Sequence, residues 1–154
     1  MTGSDVLDTE IFARWVYKPR FMDGDNFNDR FISLRSWPGK SPEQGVSGQL
    51  LNRAGHEQVI ACGRRFRRAS KDGTAKEERF VGYASASVGK IRDVSDSPDD
   101  KVDVILTETQ DIPFHSEIIF NIDNQWIDGN HLSARFLKYK DKLTNLFAQN
   151  LCTI

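Results

Sequence analysis

The sequence predicts an α+β domain, built as a mostly antiparallel sheet with one long C-terminal amphipathic helix packed on it. Two observations support this prediction. Short segments rich in β-branched and aromatic residues recur along most of the chain, and residues that favour turns separate them. The last segment instead carries apolar residues at helical spacing.

The length and composition are those of one globular domain, with 154 residues of which 38% are hydrophobic and 28% charged. We expect residues 1–10 to be a flexible lead-in and residues 11–151 to form a single α+β domain. The chain has no apolar run long enough for a membrane span and no pattern of a secretory signal. Because Cys62 and Cys152 lack metal-type spacing, we expect reduced thiols in a cytoplasmic protein.

The first half of the chain predicts two strands and one mixed segment. Ile11–Lys18 is rich in strand formers and ends at a proline. A turn rich in Asp, Asn and Gly follows over 22–28, and alternation predicts a second strand over 30–37. Residues 46–53 fit either a short helix or a strand leading into one, and Gly55 fits the position that ends such a helix.

The middle of the chain predicts a hairpin. Residues 57–69 and 79–91 are its two strands, and the loop between them contains the turn pair Asp72-Gly73. A further strand is predicted over 102–107, where β-branched residues are frequent.

Segment 111–122 fits two structures. As a strand, it places its apolar residues on one face and both His115 and Glu117 on the other. As a helix, it would begin with Asp111 as the cap and with Pro113 in the first turn.

The C-terminal segment 131–151 predicts an α-helix, because its apolar residues recur at steps of three and four. These residues are Leu132, Phe136, Tyr139, Leu143 and Leu146. A secondary basic face lies beside this stripe and consists of Arg135, Lys138 and Lys142. The aliphatic stems of these side chains can cover the edge of the core while their charges stay in water.

The basic segment between Ala61 and Ala84 contrasts with a chain of net charge −1. We expect it to bind a partner through Arg64, Arg65, Phe66, Arg67, Arg68, Lys71, Lys76 and Arg79. Arginine and aromatic residues are enriched at protein interfaces, and the same residue types bind single-stranded nucleic acid by stacking and phosphate contacts. A solvated strand edge, protected from aggregation by its charges, also accounts for this pattern.

The candidate catalytic residues are His115 and Glu117, because a histidine beside a carboxylate can act as a general acid or base near neutral pH. A structural His–carboxylate pair beside a turn explains the same pattern. Ser116 lies between them but lacks the glycine frame of a nucleophilic serine. The acidic turn over 23–29 fails the spacing of a calcium loop, and glycine-rich phosphate loops and zinc motifs are absent. The sequence therefore predicts no metal and no cofactor.

Three short motifs occur in order along the chain: R-x-x-x-x-P at Arg14–Pro19, G-[LV]-S at Gly45–Ser47 and P-x-H-x-x-I at Pro113–Ile118. In this order they resemble small uncharacterised bacterial proteins that share the same motifs. The resemblance covers roughly Arg14 to Ile118. It implies a bacterial cytoplasmic protein that works with neighbours, and it implies no particular activity.

Three hypotheses about function follow. The first is a non-enzymatic subunit or adaptor of a bacterial cytoplasmic multi-protein assembly, which binds another protein through the Arg-rich hairpin. The second is a nucleic-acid-binding module that uses the same hairpin. The third is a small hydrolase or transferase centred on His115 and Glu117. No membrane partner is expected.

Overall fold

The structure is a computed structural model. It describes residues 6–28, 30–32, 45–65, 79–107, 109–122, 127–128, 131–132 and 134–154. For residues 121–122, 127–128, 131–132 and 134–135 it describes the backbone alone.

The described strands and helices alternate irregularly along the chain. The strands are β1 (Ile11–Lys18), β2 (Met22–Asp23), β3 (Asn26–Phe27), β4 (Val46–Leu50), β5 (Arg79–Ser87), β6 (Asp100–Leu106), β7 (His115–Ile122), β8 (Ile127–Asp128), β9 (His131–Leu132) and β10 (Leu151–Thr153). The helices are α1 (Leu51–Ala54), α2 (His56–Arg65), α3 (Val88–Arg92) and α4 (Ala134–Ala148). Among the described helices, none is long and apolar enough to cross a membrane.

The main sheet has six strands in the order β10-β5-β1-β4-β7-β6. Every pairing in it is antiparallel, so the predicted α+β class with an antiparallel sheet is confirmed for the described residues. The predicted strand Ile11–Lys18 is β1, and the strand predicted over 102–107 is β6. Segment 46–53 is a strand leading into a helix, which ends at Gly55 with a φ of 89°.

The two faces of the sheet carry different helices. Along β1, side chains alternate, so Phe12 and Tyr17 point to opposite faces. Helix α4 packs on the Phe12 face, where the rings of Phe12 and Phe147 lie 6.0 Å apart. Helix α2 packs on the Tyr17 face, where the Tyr17 hydroxyl donates a hydrogen bond to the Gly63 carbonyl oxygen. The sheet therefore lies between α2 and α4.

The C-terminal helix differs from its prediction over 131–151. Helix α4 begins at Ala134 and ends at Ala148, and the chain then turns back into β10, which pairs with β5. A long C-terminal helix is therefore not confirmed. The buried side chains of α4 are Phe136, Tyr139, Leu143 and Phe147. The Tyr139 hydroxyl also donates to Asp100 Oδ2 at 2.5 Å, which fixes α4 against β6.

The predicted strand over 57–69 is wrong in its described part, because residues 56–65 form helix α2. The buried residues are Val59, Ile60, Cys62 and Gly63, a spacing that matches a helix and not a strand. Strand β5 instead pairs with β1 and β10, and it ends at Ser87, where α3 begins. Residues 66–69 lie outside the described residues. Arg64 and Arg65 therefore lie at the end of helix α2 and not on a strand of the predicted Arg-rich hairpin.

Two other predictions meet the structure only in part. For segment 111–122, the strand alternative is confirmed from His115 onward, and the helix alternative is wrong. Of the strand predicted over 30–37, residues 30–32 lie in a turn and a bend, and the rest lie outside the described residues. Phe31 and Ile32 are both fully buried, so side chains do not alternate there.

Residues 6–10, the second half of the predicted lead-in, are packed against the domain. Val6 and Glu10 are only 2% and 5% exposed. The Glu10 carboxylate accepts hydrogen bonds from the Arg53 guanidinium at 2.6 and 3.0 Å, and from the Leu7 N–H at 2.8 Å. Burial raises the pKa of Glu10, but the hydrogen bonds from Arg53, Leu7 and Asn52 outweigh it and hold that pKa below the usual 4.5.

Glu10→Gln is expected to lower the free energy of unfolding by about 1–2 kcal/mol at neutral pH, because the partly exposed Arg53 loses its charged partner. Since the folded-state pKa is lowered, this contribution is fully present above pH 4.5 and is lost as the pH falls through the lowered pKa. Urea unfolding of the wild-type and Glu10→Gln proteins at several pH values measures this loss of stability. The matched control is Asp8→Asn, because the Asp8 side chain is 72% exposed and its loss should matter little. Equal losses for the two variants would contradict this account.

Candidate functional site

Tyr17 joins the sheet to the end of α2. The last four carbonyl groups of a helix have no partner within the helix, and Gly63 carries one of them in α2. The Tyr17 hydroxyl donates to this carbonyl oxygen at 2.8 Å. Tyr17 is only 3% exposed, so the bond is made in a dry environment. It fixes the C-terminal end of α2 above β1.

A close approach between Gly63 and Phe80 holds the same end of α2 against β5. A Cβ atom at position 63 would lie 2.1 Å from a ring atom of Phe80, so only glycine permits this contact. The Phe80 ring also packs on the Tyr17 ring, with centroids 5.5 Å apart. Arg64 follows Gly63 and Arg79 precedes Phe80, so these two arginines emerge at the same end of the sheet.

Two further cations lie at this end of the sheet: Lys18 is the last residue of β1, and Arg20 follows it after Pro19. Lys18 is the direct cross-strand partner of Arg79, so both side chains stand on the same face. The Arg20 guanidinium lies over the rings of Tyr17 and Phe21, 4.7 Å from each centroid. Lys18 and Arg79 are the neighbours of Tyr17 and Phe80 in their strands, so they point to the face of the sheet opposite to these two rings.

Lys18 and Arg79 place two positive charges beside each other. Like charges directly opposite each other on neighbouring strands destabilise a sheet, and Lys18 and Arg79 form such a pair. Lys18 Nζ lies 3.9 Å from Asp25 Oδ1, but the Asp25 side chain is fully exposed and its ion pair is therefore weak. Among the described contacts, the charges of the Lys18–Arg79 pair are therefore only weakly compensated.

The basic residues predicted from the sequence separate into three groups. Arg64 and Arg79 are exposed at the same end of the sheet. The Arg65 guanidinium instead donates to the Asp111 carbonyl oxygen and lies 3.8 Å from Cys62 Sγ. The remaining residues lie outside the described part of the chain: Phe66, Arg67, Arg68, Lys71 and Lys76.

The secondary basic face on α4 is neutralised where it is described. Lys138 forms an ion pair with Asp96, and Lys142 Nζ lies 3.7 Å from the same carboxylate. The hydrogen bond from Lys138, with the charges of both lysines, holds the pKa of Asp96 below its usual value. The side chain of Arg135 lies outside the described residues. Lys138 and Lys142 therefore tie α4 to the turn before β6.

His115 and Glu117 share a face of β7, as the strand alternative predicts, but they have separate partners. The His115 Nδ1 lies 2.7 Å from Thr107 Oγ1 and 3.0 Å from the Thr107 carbonyl oxygen. Glu117 Oε2 accepts from the Gly45 N–H at 2.9 Å. The described contacts do not join the two side chains, and each one instead ties β7 to a neighbouring segment.

The described cysteines are free thiols. Cys62 lies on the buried side of α2, as expected for a small core residue, and burial raises its pKa. Its thiol therefore stays protonated at neutral pH. Among the described residues, His, Cys, Asp and Glu side chains do not gather in a group of three or more that could hold a metal ion.

Phe114 departs from the ordinary backbone conformation. It has a φ of 54°, which is rare for a large side chain, and its ring is 41% exposed. Its carbonyl oxygen accepts from the Leu50 N–H at 3.2 Å and from Ser116 Oγ at 3.0 Å. These bonds hold the backbone at Phe114, and its aromatic ring is partly exposed.

The sequence analysis missed Lys18, Arg20 and the role of Tyr17. Lys18 and Arg20 flank a proline at the end of β1, where they look like ordinary solvated residues. The role of Tyr17 could have been predicted from the helical spacing of Val59, Ile60 and Cys62. A helix over these residues brings Gly63 close to β1.

Comparison of the chain with protein-family models, curated proteins and solved structures finds no match.

Tyr17→Phe is expected to lower the free energy of unfolding by about 1 kcal/mol, because it leaves the buried Gly63 carbonyl without its donor. Amide hydrogen exchange should become faster in the last turn of α2, over residues 62–65. The matched control is Tyr83→Phe, which removes a hydroxyl 2.7 Å from His56 Nδ1 at the other end of the same helix. That variant should speed exchange at the first turn instead. Unchanged exchange over 62–65 in Tyr17→Phe would contradict the role given to this hydroxyl.

Proposed function

We propose that this protein is a non-enzymatic subunit or adaptor of a bacterial cytoplasmic multi-protein assembly. Its protein partner binds where the basic segment 64–79 leaves the domain and rejoins it. The observation that carries this proposal is the packing of Gly63 on Phe80, which places Arg64 and Arg79 at the same end of the sheet.

The packing supports the proposal because it brings together the two ends of a basic segment. The connection over 66–78 joins Arg65 to Arg79, and its sequence carries four more basic residues. Seven of the chain's 21 lysine and arginine residues thus fall between positions 64 and 79 of the sequence. Local concentration of charge steers association with a partner of opposite sign, whatever the net charge of the protein.

Two features favour a protein partner. The basic segment includes the carboxylates Asp72, Glu77 and Glu78, which suit a mixed protein interface better than a polyanion. The exposed Phe114 ring supplies an aromatic contact of the kind that dominates protein interfaces.

The proposal predicts that changing Arg65, Arg67 and Arg68 to Ser breaks a native complex while the fold survives. The measurement is the native mass of the protein purified without denaturation from the cells that make it, with thermal unfolding as the test of the fold. The matched control changes Lys90, Lys101 and Lys140 to Ser, which removes the same charge elsewhere. An unchanged complex mass in the arginine variant would overturn the proposal.

A further inference from the structure

We propose that Arg92 closes the open edge of strand β6, and that without Arg92 this edge pairs with β6 of a second copy of the chain. This surface is separate from the proposed partner site, because β6 forms one edge of the sheet and β5 lies next to the other edge.

The two edges of the main sheet differ in length. Strand β10 forms one edge with three residues, and β6 forms the other with seven. An edge strand exposes backbone N–H and C=O groups that can pair with another chain, and a very short edge strand limits this pairing. Strand β6 is long, and its segment 102–106 is rich in β-branched residues, which favour strands. The β6 edge therefore needs another form of protection.

The register of β6 against β7 determines which backbone groups reach the open edge. The Thr107 N–H donates to the His115 carbonyl oxygen, and these two residues continue the β6–β7 register. In an antiparallel pair, the residues that bond to the neighbouring strand alternate with residues whose backbone groups face away from it. Counted back from Thr107, the residues that face the open edge are Leu106, Val104 and Val102.

Both backbone groups of Val104 are occupied by the side chains of Arg92 and Asp103. Asp103 Oδ1 accepts a hydrogen bond from the Val104 N–H at 2.8 Å, and Arg92 Nη2 donates to the Val104 carbonyl oxygen at 3.4 Å. Arg92 Nε in turn donates to the same Asp103 oxygen at 2.7 Å. The guanidinium therefore lies beside the middle of the open edge, where the backbone of an added strand would have to lie.

Arg92 is held in this position by the N-terminal segment as well. Its Nη2 donates to the Val6 carbonyl oxygen at 2.8 Å, and its Nη1 donates to Asp8 Oδ1 at 2.7 Å. The Asp8 side chain is 72% exposed, so this ion pair contributes little, whereas the Asp103 side chain is only 14% exposed. Arg92 is thus fixed mainly by Asp103 and by two backbone carbonyl groups.

The edge is open on both sides of Val104. Within the described part of the chain, the outward backbone groups of Val102 and Leu106 make no hydrogen bond. Val102 also borders a cleft of about 460 Å³, so its edge is accessible. The position that Arg92 and Asp103 occupy therefore decides whether a whole strand can pair here.

A second copy of β6 fits this edge because antiparallel pairing centred on Val104 is self-complementary. Val104 would face Val104 of the second copy, and Val102 would face Leu106, so the outward N–H and C=O groups of all three residues would pair. On the other face of the strand, Asp103 would lie opposite Ile105. Over 102–106, no like charges would oppose each other.

The test measures self-association of the purified full chain by sedimentation equilibrium. Arg92→Ala should lower the dimer dissociation constant by at least about tenfold, because the Val104 carbonyl becomes available to a second strand. Asp103→Ala, which frees the Val104 N–H, should act in the same direction. Lys90→Ala is the matched control, since Lys90 is exposed on the same helix α3, and it should associate as the wild type does.

The double variant Arg92→Ala with Leu106→Pro separates strand pairing from unspecific aggregation. Proline removes the outward N–H at position 106 and is tolerated on the open side of an edge strand. The double variant should return to wild-type association, whereas a chain that aggregates because it is destabilised would not. In Arg92→Ala, amide hydrogen exchange at Val102 and Leu106 should become slower as the protein concentration rises.

Three results would overturn the inference. If neither Arg92→Ala nor Asp103→Ala associates more tightly than the wild type, these side chains do not close the edge. If the double variant associates as tightly as Arg92→Ala, the contact between copies lies elsewhere. If the wild-type chain already dimerises with protected amides at Val102 and Leu106, the edge is open in the presence of Arg92.

Discussion

The hydrogen bond from the Tyr17 hydroxyl to the Gly63 carbonyl is the contact on which the arrangement of the candidate site depends. It satisfies a carbonyl at the end of α2 that the helix itself leaves open, and it does so from the central strand β1. The Tyr17 ring meanwhile packs on Phe80 of β5 and carries the Arg20 guanidinium. One buried side chain thus sets the relative positions of a helix end, two strands and the chain after β1.

The absence of a side chain at Gly63 is the second constraint. Glycine in a helix interior costs about 0.5–1 kcal/mol relative to alanine, so its presence there calls for a packing reason. That reason is Phe80, whose ring occupies the space that a Cβ at position 63 would need. The helix can therefore lie directly on β5, and the flanking Arg64 and Arg79 are exposed to solvent. The charge at this end of the sheet is a consequence of core packing.

The strands were predictable from the sequence where local composition decides, and the candidate site was not. Ile11–Lys18 forms β1 because its residues favour strands whatever surrounds them. Val59 and Ile60 misled the prediction, because β-branched residues favour strands, whereas their burial on a single helical face overrode that preference. Lys18 and Arg79 are far apart along the chain, and only the register of β1 against β5 makes them neighbours. That register cannot be predicted from the residue pattern of either strand alone. The C-terminal helix was predicted too long because its apolar spacing does not record that β10 pairs with β5.

The most direct test of the central claim, that a protein partner binds where the basic segment leaves the domain and rejoins it, is a comparison of amide hydrogen exchange in the native complex and in the isolated chain. The account predicts that the complex slows exchange most over residues 63–65 and 79–81, which come from separate parts of the chain and meet only in the fold. Slower exchange confined to β7 around His115 and Glu117, or to the face of α4 that carries Lys138 and Lys142, would contradict it.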